Sequence, residues 1–340
     1  MIVPVLLFIL GLVLLIKGGD WFVDGATGIA ERFHVPELLI GATVVSIGTT
    51  LPEVMVSANS ALSGHGEIAY GNALGSIICN TALIAALTVA VKPGKVDKKT
   101  LKVPVAFFFC AMVIYAFGGY VRGSFERPLG VILLILFAVY MFILIKQALN
   151  EMKQAKANTD SAATVNLTDN SDDKNAKKEA PLLKEILLLI VGAVFIAEGA
   201  DLLVDNGTLI AAAMGVPEAV IALTFVALGT SLPELVTAIT SLAKGHGALS
   251  LGNVCGANLF NLVLVSGLSV TLSPFGLPEG RLLNLFGNPV NASLAVDLPV
   301  SALVMVILTI PAIIKGELKR WQGVVLLAMY AGFCVFQFVG

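Results

Sequence analysis

The chain has 340 residues, of which 57% are hydrophobic and only 13% are charged, and its formal net charge is −2. Soluble globular domains carry roughly 25% charged residues, so this chain is too apolar to cover a surface that faces water. The composition excludes an ordinary soluble enzyme or binding domain, and it predicts a helical protein that crosses a membrane many times.

Apolar runs long enough to cross a hydrocarbon core of about 30 Å recur along the chain. The N-terminal run lacks a basic segment and a small-residue cleavage site, so it is interpreted as the first span and not as a signal peptide. The predicted fold class is an all-α polytopic membrane protein with ten transmembrane helices. The predicted spans are residues 3–25, 36–61, 67–91, 102–120, 127–149, 182–206, 217–242, 248–272, 297–315 and 320–339.

The distribution of basic residues predicts the orientation. If the N-terminus is outside, 17 of the Lys and Arg residues fall in cytoplasmic segments, and only Arg122, Arg127 and Arg281 fall in outer segments. Under the positive-inside rule this bias predicts that both termini face the outside of the cell's plasma or inner membrane.

A polar segment divides the chain into three parts. Residues 151–181 combine low hydrophobicity with mixed charge, which predicts a disordered cytoplasmic linker. The predicted organisation is therefore a first five-helix repeat at 1–150, the linker at 151–181, and a second, inverted five-helix repeat at 182–340.

The two repeats are visible as an internal duplication. When the chain is shifted by 181 residues, 15 of the 40 positions in 41–80 are identical to those in 222–261. Corresponding helices are five spans apart, an odd number, so the copies enter the membrane with opposite polarity. Inverted repeats with interrupted helices are typical of secondary transporters, whose binding site lies where the repeats meet.

The most informative motif is GTTLPE at 48–53, which returns as GTSLPE at 229–234. Pro52 and Pro233 have no N–H, so the carbonyls four residues earlier lose their helical partner and the helix is expected to break there. Those carbonyls, the neighbouring hydroxyls and two carboxylates, Glu53 and Glu234, would form a cluster of oxygens suited to a hard cation such as Ca²⁺. Two such carboxylates would repel each other unless a cation or a proton lay between them.

A second duplicated motif reads GNALGSIICN at 71–80 and GNVCGANLFN at 252–261. Asn80 and Asn261 close the two copies and are expected to contact an ion or water. Two aspartates near the end of the first span are also repeated in the sixth span, at Asp20/Asp201 and Asp24/Asp205. They are interpreted mainly as helix-end or inter-helix hydrogen-bonding groups.

Other chemistries find no support in the sequence. The four cysteines form no CxxC pair and are interpreted as small packing residues. There is no nucleophile triad or Gly-rich phosphate loop, and zinc or iron would require His or Cys ligands that these spans do not supply. The chain is therefore predicted not to be an enzyme.

G-T-[ST]-L-P-E followed by G-N-x-x-G-[SA] and a closing Asn, in two inverted copies, resembles the α-repeats of Na⁺/Ca²⁺ exchangers in the cation/Ca²⁺ antiporter superfamily. The resemblance covers about two-thirds of the chain and is strongest to the short bacterial and archaeal members. It implies Ca²⁺ and Na⁺ as transported ions, with no cofactor, no nucleic acid and no obligate protein partner besides the lipid bilayer.

The resemblance also implies a set of ion ligands. Glu53 and Glu234 would coordinate Ca²⁺ at the centre and share flanking Na⁺ sites, with Asn80 and Asn261 in the middle of the cavity. The remaining implied ligands contribute hydroxyl or backbone oxygens: Thr49, Thr230, Thr50, Ser231, Ser76, Ser46 and Ala227.

Two positions depart from the family pattern. Asn261 stands where some exchangers have an Asp, so the predicted cavity carries two negative charges and not three. Ala257 stands opposite Ser76, where a serine is expected, and removes one hydroxyl from a Na⁺ site.

The resulting prediction is a secondary antiporter in which Na⁺ influx drives Ca²⁺ extrusion by alternating access. Ca²⁺/H⁺ exchange at the same two glutamates is the alternative, although the related Ca²⁺/H⁺ exchangers tend to carry further acids in the second motif. A passive cation channel is less consistent with inverted, interrupted helices.

Overall fold

The fold is described from a computed structural model, in which residues 2–165, 182–214, 229, 231–278, 282–285 and 288–339 are described. Within these residues the chain forms ten helices: α1 (Ile2–Phe33), α2 (Glu37–Leu62), α3 (Gly66–Val91), α4 (Lys98–Arg122), α5 (Arg127–Val165), α6 (Leu182–Ala213), α7 (Leu232–Lys244), α8 (Gly247–Leu272), α9 (Ser293–Lys315) and α10 (Arg320–Val339).

The helices are of membrane-spanning dimensions. Among the described residues, eight are long and apolar enough to cross a membrane, namely α1 to α6, α8 and α9. The predicted seventh span, 217–242, lies partly outside the described residues, and the predicted tenth corresponds to α10. The chain is thus an almost entirely helical multi-pass membrane protein, and ten spans remain a prediction.

Four short strands qualify the all-α prediction. β1 (Ser124–Phe125) pairs antiparallel with β2 (Phe275–Gly276), and β3 (Leu282–Leu285) pairs with β4 (Asn288–Asn291). The first pair brings Phe125 against Phe275, with ring centroids 5.5 Å apart. These strands close the loops after α4 and α8.

Helix α5 differs from the predicted linker boundary. It continues to Val165, so 151–165 are helical in the structure, whereas the prediction begins a disordered linker at residue 151. This stretch contains no Pro or Gly, so no residue in it interrupts the helix beyond the end of the predicted membrane span. The rest of the predicted linker, 166–181, lies outside the described residues.

Helices α1 and α6 pack against each other along an antiparallel glycine seam. A Cβ atom on Gly11 would lie 2.9 Å from the carbonyl oxygen of Gly199, and one on Gly18 would lie 2.9 Å from that of Gly192. As residue numbers rise along α1 they fall along α6, so these two helices run in opposite directions. Gly192 and Gly199 are also Gly11 and Gly18 shifted by 181, and the contact is therefore two-fold symmetric.

Helices α3 and α8 share their internal architecture. In each, an α-helical segment passes into a π-helical turn and then back into α-helix. The π turns cover Asn80–Ala85 and Asn261–Ser266, and these bounds differ by 181 residues at both ends. Single π turns inside α-helices frequently mark functional sites.

Helix α2 corrects the prediction of a broken helix. The α-helical segment Ser46–Leu62 runs through Pro52 without interruption. Proline removes only one backbone donor, and Gly48, whose carbonyl loses that partner, lines a cavity together with Pro52. Irregular backbone is tolerated at membrane depth when it faces a cavity. In the second copy, α7 begins at Leu232, and residues 215–228 and 230 are outside the described part.

Candidate functional site

The site is built around the two predicted glutamates. Glu53 lies in α2 directly after Pro52, and Glu234 lies in the first turn of α7 directly after Pro233. Both side chains are fully buried, with 0% exposure, and their carboxylate oxygens have no hydrogen-bond partner among the described residues. They are close enough for their charges to interact. A buried carboxylate pair of this kind is costly unless a cation or protons neutralise it.

Hydroxyl groups from the first motif approach these carboxylates. The Thr49 hydroxyl donates to Asn253 Oδ1 at 3.2 Å and lies beside the Glu234 carboxylate. The Ser46 hydroxyl donates to the carbonyl of Gly41 at 2.7 Å and lies 3.0 Å from the carbonyl oxygen of Asn253. The first GT-LPE motif is thereby connected to α8, which belongs to the other repeat.

Close packing of α2 on α8 makes these contacts possible. A Cβ on Gly256 would lie 2.8 Å from Cα of Ala42 and would collide with the Ser46 hydroxyl. A Cβ on Gly41 would lie 2.9 Å from the backbone nitrogen of Asn253. Glycine at these positions brings the two backbones together, so that Asn253 reaches the first motif.

Two more predicted hydroxyls lie in the same interior. Thr50 has 0% exposure and Ser231 has 2%, and neither hydroxyl oxygen has a hydrogen-bond partner within the described residues. Ser231 lies beside the Cys79 thiol, which in turn interacts electrostatically with Glu234. Polar oxygens without partners in a protein interior are uncommon and call for an explanation.

The two predicted asparagines occupy equivalent positions. Asn80 and Asn261 each begin a π turn, and both are fully buried. Asn261 donates through Nδ2 to the carbonyl of Ala257 at 3.1 Å, whereas Asn261 Oδ1 and both polar atoms of Asn80 lack a partner among the described residues. Amide oxygens that no protein donor occupies are suitable ligands for a hard cation.

The remaining predicted ligands are less well connected. Ser76 is 4% exposed and lies on α3 one turn before Asn80, and Ala257 is fully buried on α8. The predicted ligands Thr230 and Ala227 lie outside the described residues. The structure thus brings Thr49 and Ser46 together at Asn253, and places Thr49 beside Glu234. The other described ligands of the prediction are buried on the same helices: Glu53, Thr50, Ser231, Ser76, Asn80 and Asn261.

A cavity of about 480 Å³ leads towards this interior. Its lining includes Gly48, Thr49 and Pro233 as well as Asp201 and Asp205. The lining therefore connects a pair of acidic residues on α6 to both GT-LPE motifs.

The donor chemistry indicates the kind of ion. No group of three or more His, Cys, Asp or Glu side chains assembles within the described residues. The site instead combines two carboxylates with hydroxyl, amide and carbonyl oxygens. Such donors suit hard cations, whereas zinc and most other transition metals favour nitrogen and sulfur ligands.

Comparison with known proteins gives the family. The model of the sodium/calcium exchanger protein family matches residues 3–146 and 184–339, which is most of the chain. The chain belongs to the sodium/calcium exchanger family. This exchanger is 31% identical to the sodium/calcium exchanger MaX1 of Methanosarcina acetivorans, with 98% of each chain covered. It is 34% identical to the inner membrane protein YrbG of Escherichia coli, with 81% of each covered.

A solved structure shows the same fold. The chain superposes with a TM-score of 0.76 on the sodium-calcium exchanger NCX_Mj, from crystals soaked with Na⁺ and Sr²⁺, at 31% identity and with 97% of each chain covered. The predicted family membership is thereby confirmed, and the family and its structural neighbours are transporters, which is consistent with the prediction that the chain is not an enzyme. Because they are Na⁺/Ca²⁺ exchangers, the alternative of Ca²⁺/H⁺ exchange is not favoured.

Asn253 is the residue of this exchanger's site that sequence reasoning missed. It is fully buried, accepts from Thr49, lies next to Ser46, and has an amide nitrogen without a partner in the described part of the chain. Its conserved spacing in both copies of the second motif, as Asn72 and Asn253, was the available signal.

Proposed function

We propose that this chain exchanges Na⁺ for Ca²⁺ by alternating access, with Na⁺ influx driving Ca²⁺ extrusion. The observation that carries the proposal is the pair of fully buried, mutually interacting carboxylates of Glu53 and Glu234, each without a protein partner among the described residues. One Ca²⁺, or Na⁺ ions in the same oxygen cage, neutralise this pair, and the two cargoes therefore compete.

In this proposal the ligands come from both repeats. The first motif supplies Thr49, Thr50 and Ser46 in addition to Glu53, and the second supplies Ser231 in addition to Glu234, with Thr230 and Ala227 as the equivalent ligands outside the described residues. Asn80, Asn261 and Ser76 supply oxygens from α3 and α8. The loss of a hydroxyl at Ala257 and of a charge at Asn261 weakens Na⁺ binding relative to exchangers that have Ser and Asp there.

The inverted repeat supplies the mechanism. Ten helices in two inverted sets of five, with N- and C-termini outside, would present the same central site first to one side of the membrane and then to the other. The antiparallel α1–α6 seam and the matching π turns of α3 and α8 support this arrangement. With this orientation the described cavity opens to the outside.

The test is ⁴⁵Ca²⁺ uptake into proteoliposomes loaded with Na⁺, K⁺ or choline. We expect uptake only with internal Na⁺, and its loss in both Glu53→Gln and Glu234→Gln. The matched control is Glu126→Gln, since Glu126 is half-exposed and pairs with Arg122 at 3.1 Å. Uptake that ignores Na⁺ but follows a pH gradient would reject Na⁺ coupling. Uptake that survives both glutamine substitutions would reject the proposed site.

A further inference from the structure

Lys244, the last residue of α7, links α7 to α1 through its side chain. Its Nζ lies 2.8 Å from Asp24 Oδ1 and 3.4 Å from Asp20 Oδ1, and it donates to the backbone carbonyl of Asp20 at 2.9 Å. These three contacts fasten the C-terminus of α7, which carries Glu234, to α1.

The two repeats differ at this point. A shift by 181 places Asp20 and Asp24 on Asp201 and Asp205, but it places Lys244 on Ser63. No ion pair to Asp201 or Asp205 is seen within the described part of the chain. Among the described residues, the duplicated acid pair is therefore paired with a lysine in the first copy only.

Helix packing shows the same asymmetry. Beside α1, a Cβ on Gly19 would lie 2.6 Å from Cγ1 of Val236 and 2.9 Å from Oγ1 of Thr240, so α1 and α7 are in direct contact. The repeat equivalents of Gly19 and Val236 are Ala200 and Met55, and both line the 480 Å³ cavity between α6 and α2. The space between α1 and α7, called here the α1–α7 route, is therefore closed. Its repeat equivalent, the cavity lined by Asp201 and Asp205 and called here the Asp201–Asp205 route, is open. The closed route is the one that carries the Lys244 ion pair.

We propose that Lys244 is a positioning residue that holds the α1–α7 route closed through Asp20 and Asp24, and so favours the conformation in which the Asp201–Asp205 route is open. This inference rests on the proposed alternating access between the two routes. Opening the α1–α7 route requires α7 to leave α1, which breaks all three Lys244 contacts. Within the described part of the chain, no corresponding ion pair must break at the Asp201–Asp205 route, because Ser63 replaces the lysine.

The size of the effect follows from the exposure of the pair. The side chains of Lys244, Asp20 and Asp24 are 27%, 40% and 53% exposed. Partly exposed ion pairs shift an equilibrium by about two- to fivefold. If the conformation with the α1–α7 route closed dominates, then loss of the ion pair raises the small population with this route open by the full factor. The apparent Ca²⁺ affinity from that side of the membrane rises in proportion, because it scales with the fraction of molecules in the open, binding-competent conformation.

The experiment that does not depend on transport measures thiol accessibility. Val236→Cys reports on the closed route, and its repeat equivalent Met55→Cys reports on the open one, both with Cys110 and Cys334 replaced by serine. We expect Lys244→Ser to speed modification of the thiol at 236 by a polar maleimide about two- to fivefold. We expect Lys244→Arg to restore the slow rate, and labelling at 55 to remain fast, which also reports an intact fold.

The matched control is Lys319→Ser, because Lys319 lies on the same predicted membrane face and pairs only with Glu317 among the described side chains, at 3.0 Å. An equal acceleration in that variant, or no acceleration in Lys244→Ser, would overturn the proposal.

The transport readout is the half-saturating Ca²⁺ concentration measured from each side of the membrane. Lys244→Ser is expected to lower it about two- to fivefold on the side of the α1–α7 route, with a smaller rise on the other side. A parallel change on both sides, or a change in maximal rate only, would contradict the role given to Lys244. If the wild type shows no Na⁺-dependent uptake, the proposed function fails, while the thiol experiment still tests the closed route.

Discussion

The hydroxyl of Thr49 donates to the amide oxygen of Asn253 at 3.2 Å, across 204 residues of chain. This contact joins the first GT-LPE motif to the second G-N-x-x-G motif, and Thr49 also lies beside Glu234. Thr49 has a single hydroxyl proton, so Asn253 Oδ1 and the Glu234 carboxylate compete for it, and a proton held by Asn253 leaves the oxygen lone pairs of Thr49 free for a cation. Asn253 therefore determines whether Thr49 acts as a donor or as a ligand there.

Asn253→Ala is expected to weaken Ca²⁺ binding without abolishing exchange. Without the amide acceptor, the Thr49 hydroxyl turns its proton to the Glu234 carboxylate and competes with the cation. A misdirected hydrogen bond to a charged group is worth about 1.5–3 kcal/mol, or roughly 10- to 100-fold in affinity. The measurement is the half-saturating Ca²⁺ concentration of Na⁺-dependent uptake. Asn59→Ala, on the exposed face of α2, is the control and is expected to leave it unchanged.

Gly18→Val is expected to destabilise the protein strongly. The new Cβ would lie 2.8 Å from the backbone nitrogen of Ile196 and 2.9 Å from the carbonyl oxygen of Gly192, so α1 and α6 must separate. Overpacking of this kind costs about 1–3 kcal/mol or more. Thermal unfolding in detergent measures it. Gly332→Ala is the control, because nothing lies within 4 Å of its Cβ position and the change should be neutral or stabilising.

The ion pair of Arg32 with Glu185 is expected to hold the end of α1 to the start of α6. Arg32 Nε and Nη2 lie 3.0 and 3.3 Å from the two carboxylate oxygens, and the side chains are only 21% and 11% exposed. Glu185→Ala leaves a poorly solvated guanidinium, and we expect a loss of about 2 kcal/mol of stability.

The same unfolding measurement on Glu126→Ala provides a comparison, since the Arg122–Glu126 pair is 55% and 50% exposed and should contribute about 0–1 kcal/mol. Equal losses in the two variants would show that burial does not set the strength of the Arg32–Glu185 pair.

Asp97 is expected to stabilise the start of α4 in a pH-dependent way. Its side chain accepts from the backbone N–H of Lys99 at 3.0 Å and from the Thr100 hydroxyl. The Thr100 hydrogen bond holds the pKa of Asp97 below its usual value of 3.8. Because the folded-state pKa is the lower one, this contribution is complete above about pH 4 and is lost as the pH falls through the folded-state value.

Asp97→Ala should therefore cost about 1 kcal/mol at pH 7, and the difference from wild type should shrink in unfolding curves taken below pH 4. A difference that does not change over this pH range would show that the cap does not depend on the charge of Asp97.

The sequence by itself determined the class of the protein, and it predicted the duplication and the central residues of the proposed site. Composition and the length of apolar runs reflect the solvent in which a helix lies, so they identify membrane spans without any knowledge of packing. The 181-residue shift pairs Glu53 with Glu234 and Asn80 with Asn261 because both copies keep the residues that a symmetric site requires. The same shift relates the π turns at Asn80 and Asn261, although no rule of local sequence predicted them.

Only the tertiary structure decided how these residues meet. The contact between Thr49 and Asn253, the seam of Gly18 on Gly192, and the link from Lys244 to Asp24 each join residues more than 170 positions apart. Such contacts depend on which helix faces pack together, and the periodicity of an apolar span carries little information about that because nearly all of its faces are apolar. The helix through Pro52 shows the same limit, since a proline breaks a helix only when the surrounding packing leaves its backbone without support.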